Sequence, residues 1–309
     1  MKHLLSLKDL TKEEINNIIK LAEKLRIYKK EGKVLNTLYR KNLIMIFEKS
    51  SLRTRTTFEI AMNDLGGHAI NMDVNMIKLG ERESIKDAAL NFSRWADAVM
   101  IRTFGQERIE EFAKYSSIPV INALTDRYHP CQALAFYEAI VMNNKLKDDF
   151  KLVFVGDGNN VANSLFLLSS FFNWQFVHIV PKGYEIKEDI IKEALGINPN
   201  FRYEITDDIK KVKGADAIYT DVWASMGQEK EKEIRKRIFS PYQVNMKVVE
   251  MAENPDVVVS HCLPAHRGEE ITDDVLDSEF SIAFDEAECR LHAQKAVLIY
   301  LINGNFNVE

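Results

Sequence analysis

The chain has 309 residues and a formal net charge of -5, with 46% hydrophobic and 28% charged residues. These values are ordinary for a soluble protein of about two domains and leave no basic surface for nucleic acid. The N-terminal segment becomes charged before a signal-peptide core could form, and no apolar run approaches the roughly 20 residues of a membrane helix. We therefore expect a cytoplasmic protein that binds neither nucleic acid nor a membrane.

Cysteine usage points to the same compartment. Cys131, Cys262 and Cys289 cannot all pair, and their spacing lacks the CxxC pattern of a metal site. We expect them to be free thiols, as is usual in reducing compartments.

The predicted elements begin with an amphipathic helix, in which Thr11 and Glu14 form a capping box. One face of this helix carries Ile15, Ile18, Ile19, Ala22 and Leu25. Short apolar runs then alternate with helical patterns, which predicts parallel strands covered by helices. These runs are Leu43–Phe47, Ala69–Met72, Ala98–Ile101 and Pro119–Ala123.

After an alanine- and leucine-rich helix over residues 130–145, the same alternation restarts at Lys151, with a helix predicted over Ile186–Leu195. The last segment, "DEAECRLHAQKAVLIYLING", reads as a helix with an apolar end that must be buried. The fold class is therefore α/β, with two doubly wound parallel-sheet lobes joined by helices. We place the boundary between the two lobes near the helix over residues 130–145, to within several residues.

Polar clusters follow the predicted strands, where ligands bind in open α/β sheets. "SSLRTRTTFE" combines hydroxyls and two arginines at a strand-to-helix junction, which is typical of a phosphate site. The alternative is that Arg53 and Arg55 only pair with Glu48 and Glu59. Arg102 and His129 follow other strands and could polarise a carbonyl oxygen. His129 could equally be a packed or capping residue.

Two further motifs invite cofactor or metal interpretations. "GDGNN" resembles the start of a dinucleotide fingerprint, but Val161 occupies the third glycine position and no ribose-binding acid follows. We therefore predict no NAD at this motif. The Asn159 and Asn160 side chains instead offer amide donors and acceptors to a small polar ligand. In "HCLPAHRG", His261, Cys262 and His266 lack a second ligand pair, so we predict no metal. Cys262 also lacks an evident His–Asp relay, so we do not assign it as a covalent nucleophile; a buried small side chain is the alternative.

The motif set as a whole resembles the aspartate/ornithine carbamoyltransferase family. The segments that carry the resemblance are "SSLRTRTTFE", "MIRTF", "HPCQAL", "GDGNNVANS", "DVWASMGQE", "HCLPAHRG" and "EAECRLHAQKAVL". They span essentially the whole chain, and "SMGQE" together with "HCLPAHRG" resembles the ornithine branch. The resemblance implies a carbamoyl phosphate domain, 1–145 with 288–309, whose C-terminal helix packs back on the first lobe, and an ornithine domain, 146–287.

The resemblance also implies the site residues. Those for carbamoyl phosphate are Ser51, Leu52 through its backbone, Arg53, Thr54, Lys78, Arg102, His129, Gln132 and Arg290. Those for ornithine are Asn160, Asp221, Ser225, Met226 through its backbone, Cys262 and Leu263. Arg102, His129, Cys262 and Asp221 lie at the reacting groups in this assignment.

The implied reaction is attack of the ornithine δ-amine on the carbonyl carbon of carbamoyl phosphate, giving citrulline and phosphate without a cofactor. The implied assembly is a homotrimer with sites at subunit interfaces. The polar segment around Gly227 is a candidate lid, or alternatively the solvated start of a helix.

Three positions depart from the family pattern. Leu52 and Ala88 stand where threonine is usual, and Lys78 stands where the ornithine branch more often has glutamine. These departures concern the phosphate contacts more than the reaction. Two alternatives stay open: transfer to another amine, such as putrescine or an N-acylated ornithine, and a non-catalytic binding relative.

Overall fold

A computed structural model describes residues 1–72, 79–81, 83–224 and 229–308. The chain divides into two compact units. Unit 1 comprises Met1–Glu138 and Glu288–Glu309, and unit 2 comprises Ala139–Ala287. Within the described ranges, no helix is long and apolar enough to cross a membrane.

Unit 1 alternates strands and helices along the chain, as its sequence predicts. Its elements are α1 (Lys12–Lys30), β1 (Asn42–Phe47), α2 (Leu52–Asp64), β2 (His68–Met72), α3 (Ile85–Trp95), β3 (Ala98–Arg102), α4 (Gln106–Tyr115), β4 (Val120–Leu124) and α5 (Pro130–Met142), which continues into unit 2. Thr11 caps α1 and forms the predicted capping box with Glu14. The first helix and the four strand predictions are thus confirmed, with strand ends shifted by one residue.

The sheet of unit 1 has the strand order β2-β1-β3-β4, and its described pairings are parallel. One face is the core formed with α3 and α4, where Ile44 and Ile101 pack with Phe92 and Phe112. The alternate side chains of the central strands, such as Met45, are fully buried as well. Both faces are therefore covered, which explains why these strands read as continuous apolar runs.

Unit 2 repeats the alternation. Its elements are β5 (Lys151–Val155), α6 (Asn160–Phe172), β6 (Gln175–Ile179), α7 (Glu188–Ile197), β7 (Tyr203–Thr206), β8 (Ala217–Thr220), α8 (Lys232–Phe239), α9 (Met246–Glu250), β9 (Val258–His261), α10 (Asp273–Leu276) and the start of α11 (Ala283–Asn303). The strand order is β7-β6-β5-β8-β9 with parallel pairings. Val153, Ile179, Ile218 and Val259 lie in the core on one face of this sheet.

Helix α7 begins two residues later than the sequence predicts. Ile186 is buried in the preceding loop, and Lys187 is the N-cap residue. Glu188 and Asp189 then fill the first turn, where negative charge is favoured by the helix dipole. Ile186 therefore contributes to the core without belonging to the helix.

Each sheet reverses its strand order at one point, between β1 and β3 in unit 1 and between β5 and β8 in unit 2. Ligands of doubly wound sheets bind beside the carboxyl ends of the strands at such points. Ser51 and Arg102 lie at the first reversal, while Asn159 and Asp221 lie at the second. The topology thus identifies two candidate sites, one in each unit.

The final helix, α11, passes from unit 2 into unit 1 along the chain. Its C-terminal part packs on unit 1, where the Tyr300 hydroxyl hydrogen-bonds Glu14 and Lys295 Nζ lies 2.5 Å from Asp64 Oδ2. Many apolar side chains of this part are almost fully buried, among them Ala296 and Val297. This confirms the predicted fold class, including the helix that packs back on the first lobe.

Candidate active site

The N-terminus of α2 is the first part of the site in unit 1. Ser51 is the N-cap residue, and its Oγ accepts a hydrogen bond from the Thr54 N–H at 3.2 Å. No acidic residue occupies the first turn of this helix, so its positive end is available to an anion. Arg55 pairs with Glu59 at 3.1 Å, which bears out the alternative interpretation for this arginine. Leu52 is 78% exposed.

Arg290, from α11, joins this helix end to α5. Its guanidinium donates to Gln132 Oε1, and its Nη2 lies 3.3 Å from Thr54 Oγ1. All three side chains are at most 2% exposed. Residues distant in sequence are therefore held together by buried hydrogen bonds that leave their geometry little freedom.

Arg102, the last residue of β3, and His129, just before α5, complete the unit 1 cluster. Burial lowers the pKa of His129 well below its usual value, and the positive charges of Arg290, Arg102 and Arg53 lower it further. His129 is therefore a neutral imidazole close to three guanidinium groups. Such a site presents preorganised positive charge and hydrogen-bond donors without needing His129 to carry a charge.

Asp221 is the centre of the cluster in unit 2. It follows β8 and is 5% exposed. Its Oδ1 accepts a hydrogen bond from Cys262 Sγ at 2.8 Å, and its Oδ2 accepts one from Asn159 Nδ2 at 2.7 Å. Asn159 also caps α6 by accepting from the backbone N–H groups of Val161 and Ala162. These hydrogen bonds of Asn159 fix the Asp221 carboxylate relative to the start of α6, where Asn160 lies.

The turn after β9 positions Cys262 and Leu263. Leu263 has a positive φ of 53°, which a residue with a branched side chain seldom adopts. Its N–H donates to His261 Nδ1 at 2.8 Å, and His261 Nε2 lies 3.1 Å from Glu270 Oε1. Both His261 and Glu270 are buried. The hydrogen-bonded pair of His261 and Glu270 therefore holds the backbone of Leu263 in position.

Lys78, Ser225 and Met226 lie outside the described residues, as does the candidate lid around Gly227. Ala88 is buried in the core of unit 1 beside Ala89 and Phe92. The sequence predicts that the Asn159 amide serves a small polar ligand, whereas in the structure it bonds Asp221 and caps α6. Glu270, which bonds His261, was not assigned from the sequence. Asn159 could have been found as a helix cap, because asparagine before an apolar helical run is a start signal.

Two described groups contain three potential metal-ligating side chains with ligand atoms within 4.8 Å. They are Asp221, His261 and Cys262, and His266, Glu269 and Glu270. In the first group, Cys262 and Asp221 bond each other, and His261 bonds the backbone of Leu263. In the second, Glu269 pairs with Lys236 at 3.1 Å. Protein partners thus already engage these side chains.

Comparison with known proteins covers both units. Residues 2–140 match the carbamoyl-P binding domain of aspartate/ornithine carbamoyltransferase, and residues 148–301 match the Asp/Orn binding domain. The ornithine carbamoyltransferase of Archaeoglobus fulgidus is 49% identical over 311 residues, covering 100% of both chains. The anabolic ornithine carbamoyltransferase of Pyrococcus furiosus is 48% identical over 306 residues, covering 98% of this chain and 97% of the relative.

Comparison with solved structures gives the same family. The ornithine carbamoyltransferase structure from Pyrococcus furiosus has a TM-score of 0.94 at 48% identity, with 98% of each chain covered. The anabolic enzyme from Campylobacter jejuni has a TM-score of 0.92 at 37% identity, covering 99% of this chain and 100% of the other. The resemblance indicated by the motifs is confirmed: the chain is an enzyme of the aspartate/ornithine carbamoyltransferase family.

Proposed function

We propose that this enzyme transfers the carbamoyl group of carbamoyl phosphate to the δ-amine of L-ornithine, giving L-citrulline and phosphate, in arginine metabolism. The observation that carries the proposal in the structure is the buried Arg290, which bonds Gln132 and Thr54 at the start of α2, with Arg53, Arg102 and a neutral His129 nearby. An anionic substrate with a carbonyl group to polarise suits this arrangement. The ornithine carbamoyltransferases that match the full chain support the same reaction.

The phosphate group of the substrate is assigned to the N-terminus of α2. Ser51, Arg53 and Thr54 supply side-chain donors there, and the backbone N–H of Leu52 adds a donor that does not depend on its side chain. A helix N-terminus favours a phosphate through its dipole and its free N–H groups. The departure from threonine at Leu52 therefore removes a hydroxyl without removing the backbone contact.

The carbamoyl group is assigned to Arg102, His129, Gln132 and Arg290. As the amine attacks, the carbonyl oxygen gains negative charge. The positive charge of Arg102 and hydrogen bonds donated by neutral His129 and by Thr54 stabilise this oxygen. The new C–N bond forms and the C–O bond to phosphate breaks, so that phosphate departs with the bonding electrons and takes up the proton that the attacking nitrogen releases. Because the donors are fixed before substrate arrives, little energy goes into reorienting them during the reaction.

The amino-acid substrate is assigned to unit 2. Asn160 and Asp221 recognise the α-amino and α-carboxylate groups together with Ser225 and Met226, while Cys262 and Leu263 lie near the δ-amine. That amine is normally protonated near neutral pH and must lose a proton before it can attack. The Asp221 carboxylate can accept this proton, and the backbone carbonyls around Cys262 hold the amine in place by accepting hydrogen bonds from it.

The domain roles follow from these assignments. Residues 1–145 with 288–309 bind carbamoyl phosphate, and residues 146–287 bind ornithine. We also propose a cytoplasmic homotrimer in which Lys78 reaches the site of a neighbouring subunit, as the resemblance implies. A sedimentation mass of three chains supports this assembly, whereas a monomer that is fully active rules it out.

The test is product formation from carbamoyl phosphate with ornithine, putrescine, N-acetylornithine or aspartate in parallel. Product with ornithine alone is expected. Product with another acceptor instead would overturn the assignment of the unit 2 site, and the absence of any product would favour a non-catalytic binding relative.

A further inference from the structure

A buried arginine on α8 connects two loops that border the Asp221 cluster. Arg235 is 7% exposed, and its Nη1 donates to the carbonyl oxygen of Trp223 at 3.0 Å. The same nitrogen lies 3.0 Å from Asp157 Oδ2, and Nε bonds Glu231 at 2.9 Å. One guanidinium therefore joins the loop after β5 to the loop after β8.

The same two loops are joined a second time by Asn159 and Asp221, at 2.7 Å. On each loop, the residue that contacts Arg235 and the residue in the Asn159–Asp221 bond are two positions apart. They are Asp157 and Asn159 on the first loop, and Trp223 and Asp221 on the second. Two contacts at this spacing fix the direction of both backbones, whereas one contact would leave each free to pivot.

Gly158, between Asp157 and Asn159, allows the loop after β5 to pack closely against the backbone of residues 184–186. Its N–H donates to the Tyr184 carbonyl at 2.8 Å, and a Cβ placed on it would lie 2.5 Å from the backbone nitrogen of Ile186. No side chain fits this contact. The loop that carries Asp157 is thus itself held in place.

The ion pair lies among aromatic side chains. The Arg235 guanidinium stands 4.9 Å from the Tyr184 ring centroid, and Trp223 packs with Phe239. In such surroundings an unpaired charge is costly, and removal of one partner leaves the other uncompensated. The position of Arg235 is therefore strongly specified by Asp157.

We propose that Asp157 and Arg235 are positioning residues for the amino-acid substrate: they hold the backbone that follows β8 so that Asp221 meets the α-amino acid in a fixed orientation. This inference rests on the proposed function, in which Asp221 contacts ornithine. It assigns the pair to ornithine recognition and not to carbamoyl phosphate, whose proposed ligands all belong to the unit 1 domain.

The experiment compares Arg235→Met and Asp157→Asn with Arg237→Met, which removes an exposed arginine from the same helix. Kinetics give the KM of each substrate, and thermal melting reports stability. Calorimetry gives the Kd of L-norvaline, which has the α-groups of ornithine but no δ-amine, with carbamoyl phosphate present. For Arg235→Met we expect KM for ornithine and Kd for norvaline to rise about tenfold or more, because a buried charge loses its partner. The KM for carbamoyl phosphate should stay within about twofold, and Arg237→Met should match the wild type.

The pH dependence gives a readout that a purely structural role would not produce. Burial raises the pKa of Asp157 to about 6 against the opposing effect of Arg235, and Asp221 and Glu231 add to the rise. As pH falls through this value, Asp157 becomes neutral and its attraction for Arg235 weakens. The Kd for norvaline should then rise, since norvaline itself keeps its charge between about pH 5 and 7. In Asp157→Asn this rise should be absent.

Equal changes in both KM values, or a lower melting temperature with an unchanged norvaline Kd, would overturn the proposal. If Arg235→Met does not fold, Asp157→Asn and the wild-type pH profile decide. Norvaline binding does not depend on turnover, so a wild type that binds norvaline but forms no citrulline contradicts the proposed function alone. A wild type that binds no norvaline contradicts both.

Discussion

The two candidate sites reach fixed geometry by opposite electrostatic means. In unit 1, cationic side chains from separate segments lie near a neutral histidine, and Arg290 bonds Gln132 and Thr54 from a helix at the other end of the chain. In unit 2, the central group is a carboxylate, held by an amide and a thiol from neighbouring loops. An anionic substrate suits the first site and an amine the second. The comparison therefore predicts that substitutions in each unit affect different kinetic constants.

The largest effect is expected at Arg102. Arg102→Met removes a buried positive charge beside the proposed carbonyl oxygen, so kcat should fall about 100- to 1,000-fold, as when one oxyanion donor is lost. Steady-state kinetics measure this, with Arg94→Met as the control because Arg94 is an exposed arginine of the same unit. A KM change without any loss of kcat would show that Arg102 only binds the ground state.

The next effect is expected at Asp221. Asp221→Asn keeps the shape of the side chain but removes its charge, so KM for ornithine should rise about 10- to 100-fold, the range for a lost charged hydrogen bond. KM for carbamoyl phosphate should change little. Asp148→Asn, at an exposed position in the same unit, is the matched control. If both KM values rise equally, the assignment of one substrate to each unit is wrong.

A smaller effect is expected at Cys262. Its thiol donates to Asp221 and is assigned no covalent step, so Cys262→Ala should lower kcat by only about three- to tenfold. Loss of an obligatory nucleophile would instead cost about a million-fold. Rapid-mixing and steady-state assays separate these outcomes, and mass spectrometry with carbamoyl phosphate alone checks for a covalent adduct. A carbamoylated Cys262 would contradict this account.

The smallest effect concerns stability in unit 1. Although partial burial opposes it, hydrogen bonds with Lys2 and Tyr300 lower the pKa of Glu14 from 4.5 to about 2. A lowered folded-state pKa stabilises the protein above the unfolded value, so this contribution is lost as pH falls from 4.5 toward about 2. Melting temperatures should show a small deficit for Glu14→Gln at neutral pH that disappears in acid. Glu13→Gln, at an exposed neighbour, should show neither.

Much of the fold was predictable because local patterns carry it. The buried strands are continuous apolar runs, and the capping box of Thr11 and Glu14 marks the start of α1 in the sequence. Helices α8, α9 and α10 were not predicted. The sequence of α8, "KEIRKRIF", is highly charged, and α9 and α10 have 5 and 4 residues. Periodicity cannot identify segments that short.

The site was predictable to a different degree in each unit. Arg102 ends β3, and the start of α2 and His129 follow β1 and β4 after short loops, so the rule for strand ends locates them. The contact from Asn159 to Asp221 spans 62 residues, and that from His261 to Glu270 depends on a tertiary turn. Arg235 has no local signal at all, because an arginine in a charged helix is usually exposed. The three-dimensional structure is needed to identify which residues contact each other across such distances in sequence.

The most direct test of the central claim follows the carbamoyl carbon. Carbamoyl phosphate labelled with ¹³C is incubated with the enzyme and ornithine, and the label is followed by NMR while released phosphate is measured. The account predicts that all enzyme-dependent label appears in citrulline, with one phosphate released for each citrulline formed. Phosphate release without labelled citrulline would contradict it.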